Sequence, residues 1–282
     1  MVDRLNELAG EHPGYGFWKI YGCVRLEGFI WNHKKVYHVY TELKMNLRRR
    51  HKRRLPTRVA QPLKIPATMN GTWSMDFMSD ALYDGRRVKI LNIIDDHNRQ
   101  ALAMEVDTSI PLVKVINKLS QLIELHGKPL RIRTDNGPEF ISHQLLDWFH
   151  KQRIQMQFIQ PGKPMQNGLI ERFNKTYRQE ILDAYVFYSL KELKAITWHW
   201  MNEYNHKRPH DALNSLPPAL YVLKYGKHEH DRSSSDMFTT VQHAAGDDDD
   251  YNKLIKKLTS NWHYDLGPLH YTLMHLTDKA IG

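Results

Sequence analysis

Three carboxylates stand in sequence surroundings that suit metal-assisted chemistry. Asp135 lies in Arg133-Thr134-Asp135-Asn136-Gly137-Pro138-Glu139-Phe140. The run Leu130-Arg131-Ile132-Arg133 before it reads as a strand, and Asn-Gly-Pro as the turn that ends the strand. Glu171 follows 36 positions later in Asn167-Gly168-Leu169-Ile170-Glu171-Arg172-Phe173-Asn174, which reads as a helix. Asp76 sits upstream in Trp73-Ser74-Met75-Asp76-Phe77, on a second strand-like segment. A carboxylate set into an apolar strand costs desolvation free energy unless something pairs with it, and a divalent cation is the usual partner. Asp76, Asp135 and Glu171 converging would hold one or two Mg²⁺ ions.

The elements that must bring them together are legible in outline. Apolar, strand-like stretches at residues 72–79 and 88–94 flank a loop containing Asp84-Gly85, a hairpin signal. The turn Asp95-Asp96-His97-Asn98 leads to a third strand at 101–106, so Asp95 and Asp96 read as turn residues and not as ligands. Leu112, Val113, Ile116, Leu119, Leu122 and Ile123 form one helical face, ended by Gly127 and Pro129. After the Asp135 strand comes a helix around Leu145, Leu146, Trp148 and Phe149. A fifth strand follows, with Ile154, Met156 and Phe158 alternating strictly with Gln155 and Gln157. The order β-β-β-α-β-α-β-α predicts an α/β fold, a mixed sheet of five strands flanked by helices. On the last helix Glu171, Lys175 and Arg178 share a face, so a metal-binding acid has cations at its flank. Ser189-Leu190-Lys191-Glu192 is a capping box opening another helix, whose Trp198, Trp200 and Tyr204 read as packing aromatics.

Charge divides the chain. The total is +9, but residues 1–55 hold 12 Lys/Arg against 5 Asp/Glu, whereas 227–282 hold 6 against 9. A basic front end favours polyanions, with nucleic acid the commonest soluble one. Residues 1–55 read as a helical, DNA-associated module in which Asn32 caps a helix bearing Val36, Val39, Tyr40, Leu43 and Leu47. That helix leads into Arg48, Arg49, Arg50, His51, Lys52, Arg53 and Arg54, an arm suited to DNA phosphates. Pro56, Pro62 and Pro66 mark a linker over 56–70, the catalytic core with its C-terminal helices spans 71–226, and 227–282 is a polar, flexible tail. His228 and His230 read as solvated. No run approaches a membrane span and the first residues are no signal peptide. The lone Cys23 reads as a small buried hydrophobe and suits a reducing cytoplasm.

Four motifs together resemble the retroviral-integrase-type DDE recombinases, and more narrowly the second-frame subunit of two-frame bacterial insertion-sequence transposases. They are Trp73-x-x-Asp76, the Arg133–Phe140 run, Lys163-Pro164-x-Gln166-Asn167-Gly168-x-x-Glu171-Arg172-Phe173-Asn174, and Tyr204-Asn205-x-x-Arg208-Pro209-His210. The resemblance implies an RNase H-like fold and metal-dependent DNA cleavage and strand transfer, with Asp76, Asp135 and Glu171 as the catalytic and metal-binding triad. Two ions about 3.5–4 Å apart would serve, one activating water or a 3′-hydroxyl and the other stabilising the leaving oxygen. Oxygen ligands fit Mg²⁺, with Mn²⁺ as substitute. Lys163, Asn167, Lys175 and Arg178 would contact DNA. Further implied are double-stranded element-end and target DNA as substrate, a first-frame DNA-binding subunit as partner, a homo-oligomer on DNA, and a nucleoid-associated place in a bacterial cytoplasm. Two other readings remain open: a DNA-binding remnant without catalysis, and a nuclease of the same fold that hydrolyses without joining strands. A two-carboxylate glycosidase is a poor fit, because the acids stand beside cations in a basic chain.

Overall fold

The computed structural model describes residues 1–47, 65–160 and 164–225. The basic run Arg48, Arg49, Arg50, Lys52, Arg53 and Arg54, most of the 56–70 linker, Lys163 and the 227–282 segment lie outside the described residues.

The first three helices, α1 (Val2–Glu11), α2 (Phe17–Leu26) and α3 (His33–Glu42), each turn an apolar stripe inward, and Leu5, Leu8, Ile20, Val24, Val36 and Tyr40 make their shared core. Asn32 caps α3 as expected, its side chain accepting from the Lys34 N–H at 2.9 Å. The helix stops at Glu42, short of the predicted Leu47. Lys44 adopts a left-handed φ of 56°, and the Tyr40 hydroxyl donates to the Met45 carbonyl at 2.7 Å, folding the chain back. Leu47 is left 48% exposed, so it is no part of that helix's buried stripe.

The sheet consists of β1 (Trp73–Ala81), β2 (Arg87–Asp95), β3 (Ala101–Asp107), β4 (Arg131–Thr134) and β5 (Gln155–Phe158), in the spatial order β3-β2-β1-β4-β5. The first three form an antiparallel meander, whereas β4 runs parallel to β1 and β5 parallel to β4. Gly85, at a φ of 83°, supplies the left-handed residue of the β1–β2 loop. The crossovers are α4 (Leu112–His126) and α5 (His143–Gln152). After β5 come α6 (Gly168–Tyr177), which runs into a π turn at Arg178–Leu182, then α7 (Leu190–His206) and α8 (Pro218–Tyr225).

Strand alternation splits the interior into two cores. Val88, Ile90 and Ile94 of β2 face α6 and α7 through Ile170, Phe173 and Trp200. Leu91 and Ile93, of opposite parity, face α4 and α5 through Leu119 and Phe149. Because helices cover both faces, β2 is buried almost throughout and its sequence reads as a continuous apolar run. Edge strand β5 lacks the predicted clean alternation: Gln155 is exposed and Met156 through Phe158 are all half-buried. The Ser189 cap is present, accepting from the Glu192 N–H at 3.2 Å while Glu192 reaches back to the Tyr188 N–H at 2.9 Å. Trp200 and Tyr204 pack in the core, but Trp198 is 57% exposed.

The motif Tyr204-Asn205-x-x-Arg208-Pro209-His210 is architectural. Asn205 accepts from the Ala101 N–H and donates to the Ala101 carbonyl, both at 2.9 Å, where the β2–β3 ladder shifts register. Buried Arg208 donates to Glu180 at 2.6 Å and lies 5.0 Å from the Tyr15 ring and 6.0 Å from the Tyr204 ring. Pro209 leaves so little room at Gly22 of α2 that a Cβ there would sit 3.0 Å from it. The N-terminal helices are thereby packed onto the sheet-bearing body. Among the described residues no helix is long and apolar enough to cross a membrane.

Candidate active site

Register places the first two carboxylates. In the parallel β1–β4 ladder Ser74 stands opposite Arg133, so Asp76, within β1, and Asp135, just past the end of β4, come level, each two residues further on. Side chains two apart share a face, and this is the α6 face of the sheet. Below the carboxylates lies a buried polar clamp. The Asp96 side chain, fully buried, accepts from the Ser74 hydroxyl at 2.6 Å and from Arg133 Nη1 at 2.8 Å. One carboxylate from the β2–β3 turn thus ties together β1 and β4 next to where they carry Asp76 and Asp135. Burial pushes the Asp96 carboxyl up to about 6, against the opposing pulls of Ser74 and Arg133. Neighbouring Asp95 closes the turn, accepting from the N–H groups of Asn70 and His97 at 2.7 Å each.

Glu171 comes from the first turn of α6, and Asn174 three residues on fastens that helix to the site. Asn174 Nδ2 donates to Asp76 Oδ2 at 2.7 Å, while its Oδ1 accepts from Asn92 of β2 at 2.8 Å. Burial first, then the charge of Asp135 and more weakly that of Glu171, push the Asp76 carboxyl up to about 6. Burial also raises Glu171. Gly137 donates its N–H to Asp135 Oδ1 at 3.0 Å, and a Cβ there would lie 3.0 Å from both that oxygen and Glu139 Oε2. Any larger residue would therefore collide with the carboxylates.

The three acids thus share one electrostatic field, although among the described residues no three acidic, histidine or cysteine side chains are gathered closely enough to hold one ion together. The donor chemistry fits a hard divalent cation: carboxylate oxygens only, one of them buried beside the charge of another. Glu171 is the exposed member, in the first turn of α6.

The predicted DNA contacts fall out differently. Lys175 is exposed on α6. Arg178 is committed to the end of β1, donating to Asp80 Oδ2 at 3.1 Å and to the Ser79 carbonyl at 2.8 Å. It lies in the π turn beyond α6, which breaks the shared helical face read from spacing. Asn167 is buried, and its Oδ1 has no hydrogen-bond partner. Sequence reasoning missed Ser74, Asp96 and Asn174 as supports, although Ser74 and Asn174 lie inside motifs it quoted.

The family model for an integrase core domain matches residues 66–164, and a second integrase-core model matches 152–218. The chain is 39% identical over 225 residues to the uncharacterized 31.7 kDa protein of insertion element IS407 from Burkholderia multivorans, covering 80% of this chain and 81% of that protein. It is 38% identical over 222 residues to the uncharacterized 39.2 kDa protein of IS476 from Xanthomonas euvesicatoria, covering 79% of this chain and 64% of that one. Among solved structures it is similar to the HTLV-2 integrase catalytic core domain in complex with magnesium, with a TM-score of 0.42 and 20% identity over 55% of this chain and 97% of that one. With four-fifths of an insertion-element protein matched at that identity, the chain belongs to the integrase-core transposases of insertion elements.

Proposed function

We propose that this transposase cleaves the ends of its element and joins the 3′-hydroxyl strand to target DNA at Asp76, Asp135 and Glu171. The observation that supports the reading is the register of adjacent parallel strands β1 and β4, which brings Asp76 level with Asp135, together with the Asn174 hydrogen bond that ties α6 to Asp76. Asp76 and Asp135 would jointly hold one Mg²⁺, and Glu171 with one of them a second, Mn²⁺ serving as substitute. Bound there, the metal supplies activation of water or the 3′-hydroxyl and stabilisation of the leaving oxygen. The chain's part is to fix the two strand-borne acids through the Asp96 clamp and to let Glu171 close from α6. Lys163 and Asn167, which precede α6 in sequence, and Lys175, in its last turn, would contact DNA, and Arg178 would serve from its tether at β1. Residues 1–55, with Arg48, Arg49, Arg50, Lys52, Arg53 and Arg54, would form a DNA-associated module joined by the 56–70 linker to the 71–226 core. The excess of cations supports a polyanionic substrate. A first-frame DNA-binding subunit, a homo-oligomer on DNA and a place at the bacterial nucleoid complete the reading.

The test is incubation of the purified protein with a 3′-hydroxyl DNA end and a plasmid, in Mg²⁺ or Mn²⁺, beside Glu171→Gln. Joined product that needs the metal and disappears in the variant is the expected result. Nicking without joining would indicate a nuclease, and product undiminished in Glu171→Gln would remove that residue from the site.

A further inference from the structure

Away from the carboxylates, a cleft of about 790 Å³ opens between α2 and α3, lined among others by Phe17, Trp18, Lys19, Lys34 and Tyr37. Two of its aromatic rings are turned outward. Trp18 is 63% exposed and Tyr37 50% exposed, although each belongs to a helix whose other large side chains build a core. Phe17 braces both: its ring centroid lies 5.1 Å from Trp18 and 4.8 Å from Tyr37, each edge-on, and 5.5 Å from buried Tyr40. The exposed rings are therefore braced by Phe17, and the His33 ring lies 6.0 Å from Trp18 at 31° between the planes.

The surrounding charge is positive. Lys19, Lys34 and His33 line the cleft against one carboxylate, Asp211. Gly16, the N-cap of α2, gives the first amides of that helix no side-chain cap, so they and the helix dipole favour an anion. Rigid outward aromatics with cations beside them suit stacking on a nucleobase whose phosphate is neutralised alongside. The volume is that of a small-molecule site. A duplex offers no open base face, because its bases are already stacked on one another.

We propose that this cleft binds a single unpaired nucleotide of the DNA substrate, its base stacked on Trp18 and Tyr37 and its phosphate held by Lys19, Lys34 and the start of α2. The proposal rests on the DNA-processing reading above and specifies which DNA the N-terminal helices select. Frayed or overhanging ends would be preferred over blunt ones.

The test uses the full chain in EDTA, with no strand transfer required. Two duplexes of equal length are compared, one with 2-aminopurine in a one-nucleotide overhang and one blunt with 2-aminopurine paired internally. Binding is read by anisotropy and stacking by quenching of 2-aminopurine fluorescence. The overhang is expected to bind on the order of tenfold more tightly than the blunt duplex, with quenching. Trp18→Ala and Tyr37→Ala should each remove the preference and the quenching, while blunt-duplex affinity and the melting temperature stay as in the wild type. Equal binding of the two duplexes by the wild type, or quenching that survives in Trp18→Ala, would overturn the cleft while leaving the active-site reading intact. Failure to bind either duplex would also overturn the cleft, while the active-site reading stands or falls on the joining assay with Glu171→Gln.

Discussion

Asp76→Asn is expected to melt higher than the wild-type protein in metal-free buffer at pH 8, while losing strand transfer by about a thousandfold or more. The two effects share one cause. The Asp76 carboxyl is lifted from 3.8 to about 6 by burial and by the charge of Asp135. The folded state therefore holds this proton more tightly than the unfolded chain does, and ionising the group works against folding. The penalty is fully present above about pH 6 and fades as the pH falls toward 3.8. Each pKa unit is worth about 1.4 kcal/mol, so removing the charge should stabilise the metal-free protein by roughly 1–3 kcal/mol at pH 8, and by almost nothing near pH 4. An amide can still accept from Asn174, so the hydrogen bond need not be lost with the charge. Thermal melts at the two pH values in EDTA, with a joining assay at pH 8, measure all of this. A variant that melts at or below the wild-type temperature at pH 8 would show that Asp76 is not under this electrostatic load.

Arg133→Met is expected to cost about 3–5 kcal/mol, enough to leave a large unfolded fraction in a protein of ordinary stability. The Asp96 side chain is fully buried, and among the described residues the guanidinium of Arg133 is the only charged group that hydrogen-bonds its carboxylate. Removing the cation strands a buried carboxylate, which is costlier than losing the attraction itself. The combination Arg133→Met with Asp96→Asn should therefore recover a substantial part of the loss, whereas Asp96→Ala added to Ser74→Ala should not. Urea unfolding of the single and double variants gives the coupling. An additive cycle would mean that the clamp is not an energetic unit. The recovered double variant should still join DNA poorly, since only the backbone ladder then holds β1 against β4 beside Asp76 and Asp135.

The succession of strands and helices, with Asp76 on one strand and Asp135 just past another, could be read from the chain because its signals are local. The Asp84-Gly85 loop, the alternation of apolar residues in the meander and the turn after Asp135 each fit in a window of a few residues. The supports were not legible for the opposite reason. Asp96 looks like an ordinary turn residue until Arg133, 37 positions away, is folded against it. Asn174 and Asp76 are separated by 98 positions, and no periodicity links them. Arg178 was assigned to the Glu171 face by counting helical turns, which fails where the helix widens into a π turn. The predicted length of α3 failed in the same way, at a left-handed lysine that no propensity marks.

Arg208 sets how the molecule can come apart. Its guanidinium is sandwiched between Tyr15 from the N-terminal helices and Tyr204 from α7, and bound to Glu180. Cutting the chain after Leu47 would uncover this group together with Pro209, leaving a raw surface where an interior had been. The front end and the sheet should accordingly denature in one cooperative transition, and an excised sheet fragment should be poorly soluble. The separation between the first helices and the carboxylates is then set by packed side chains and not by a linker.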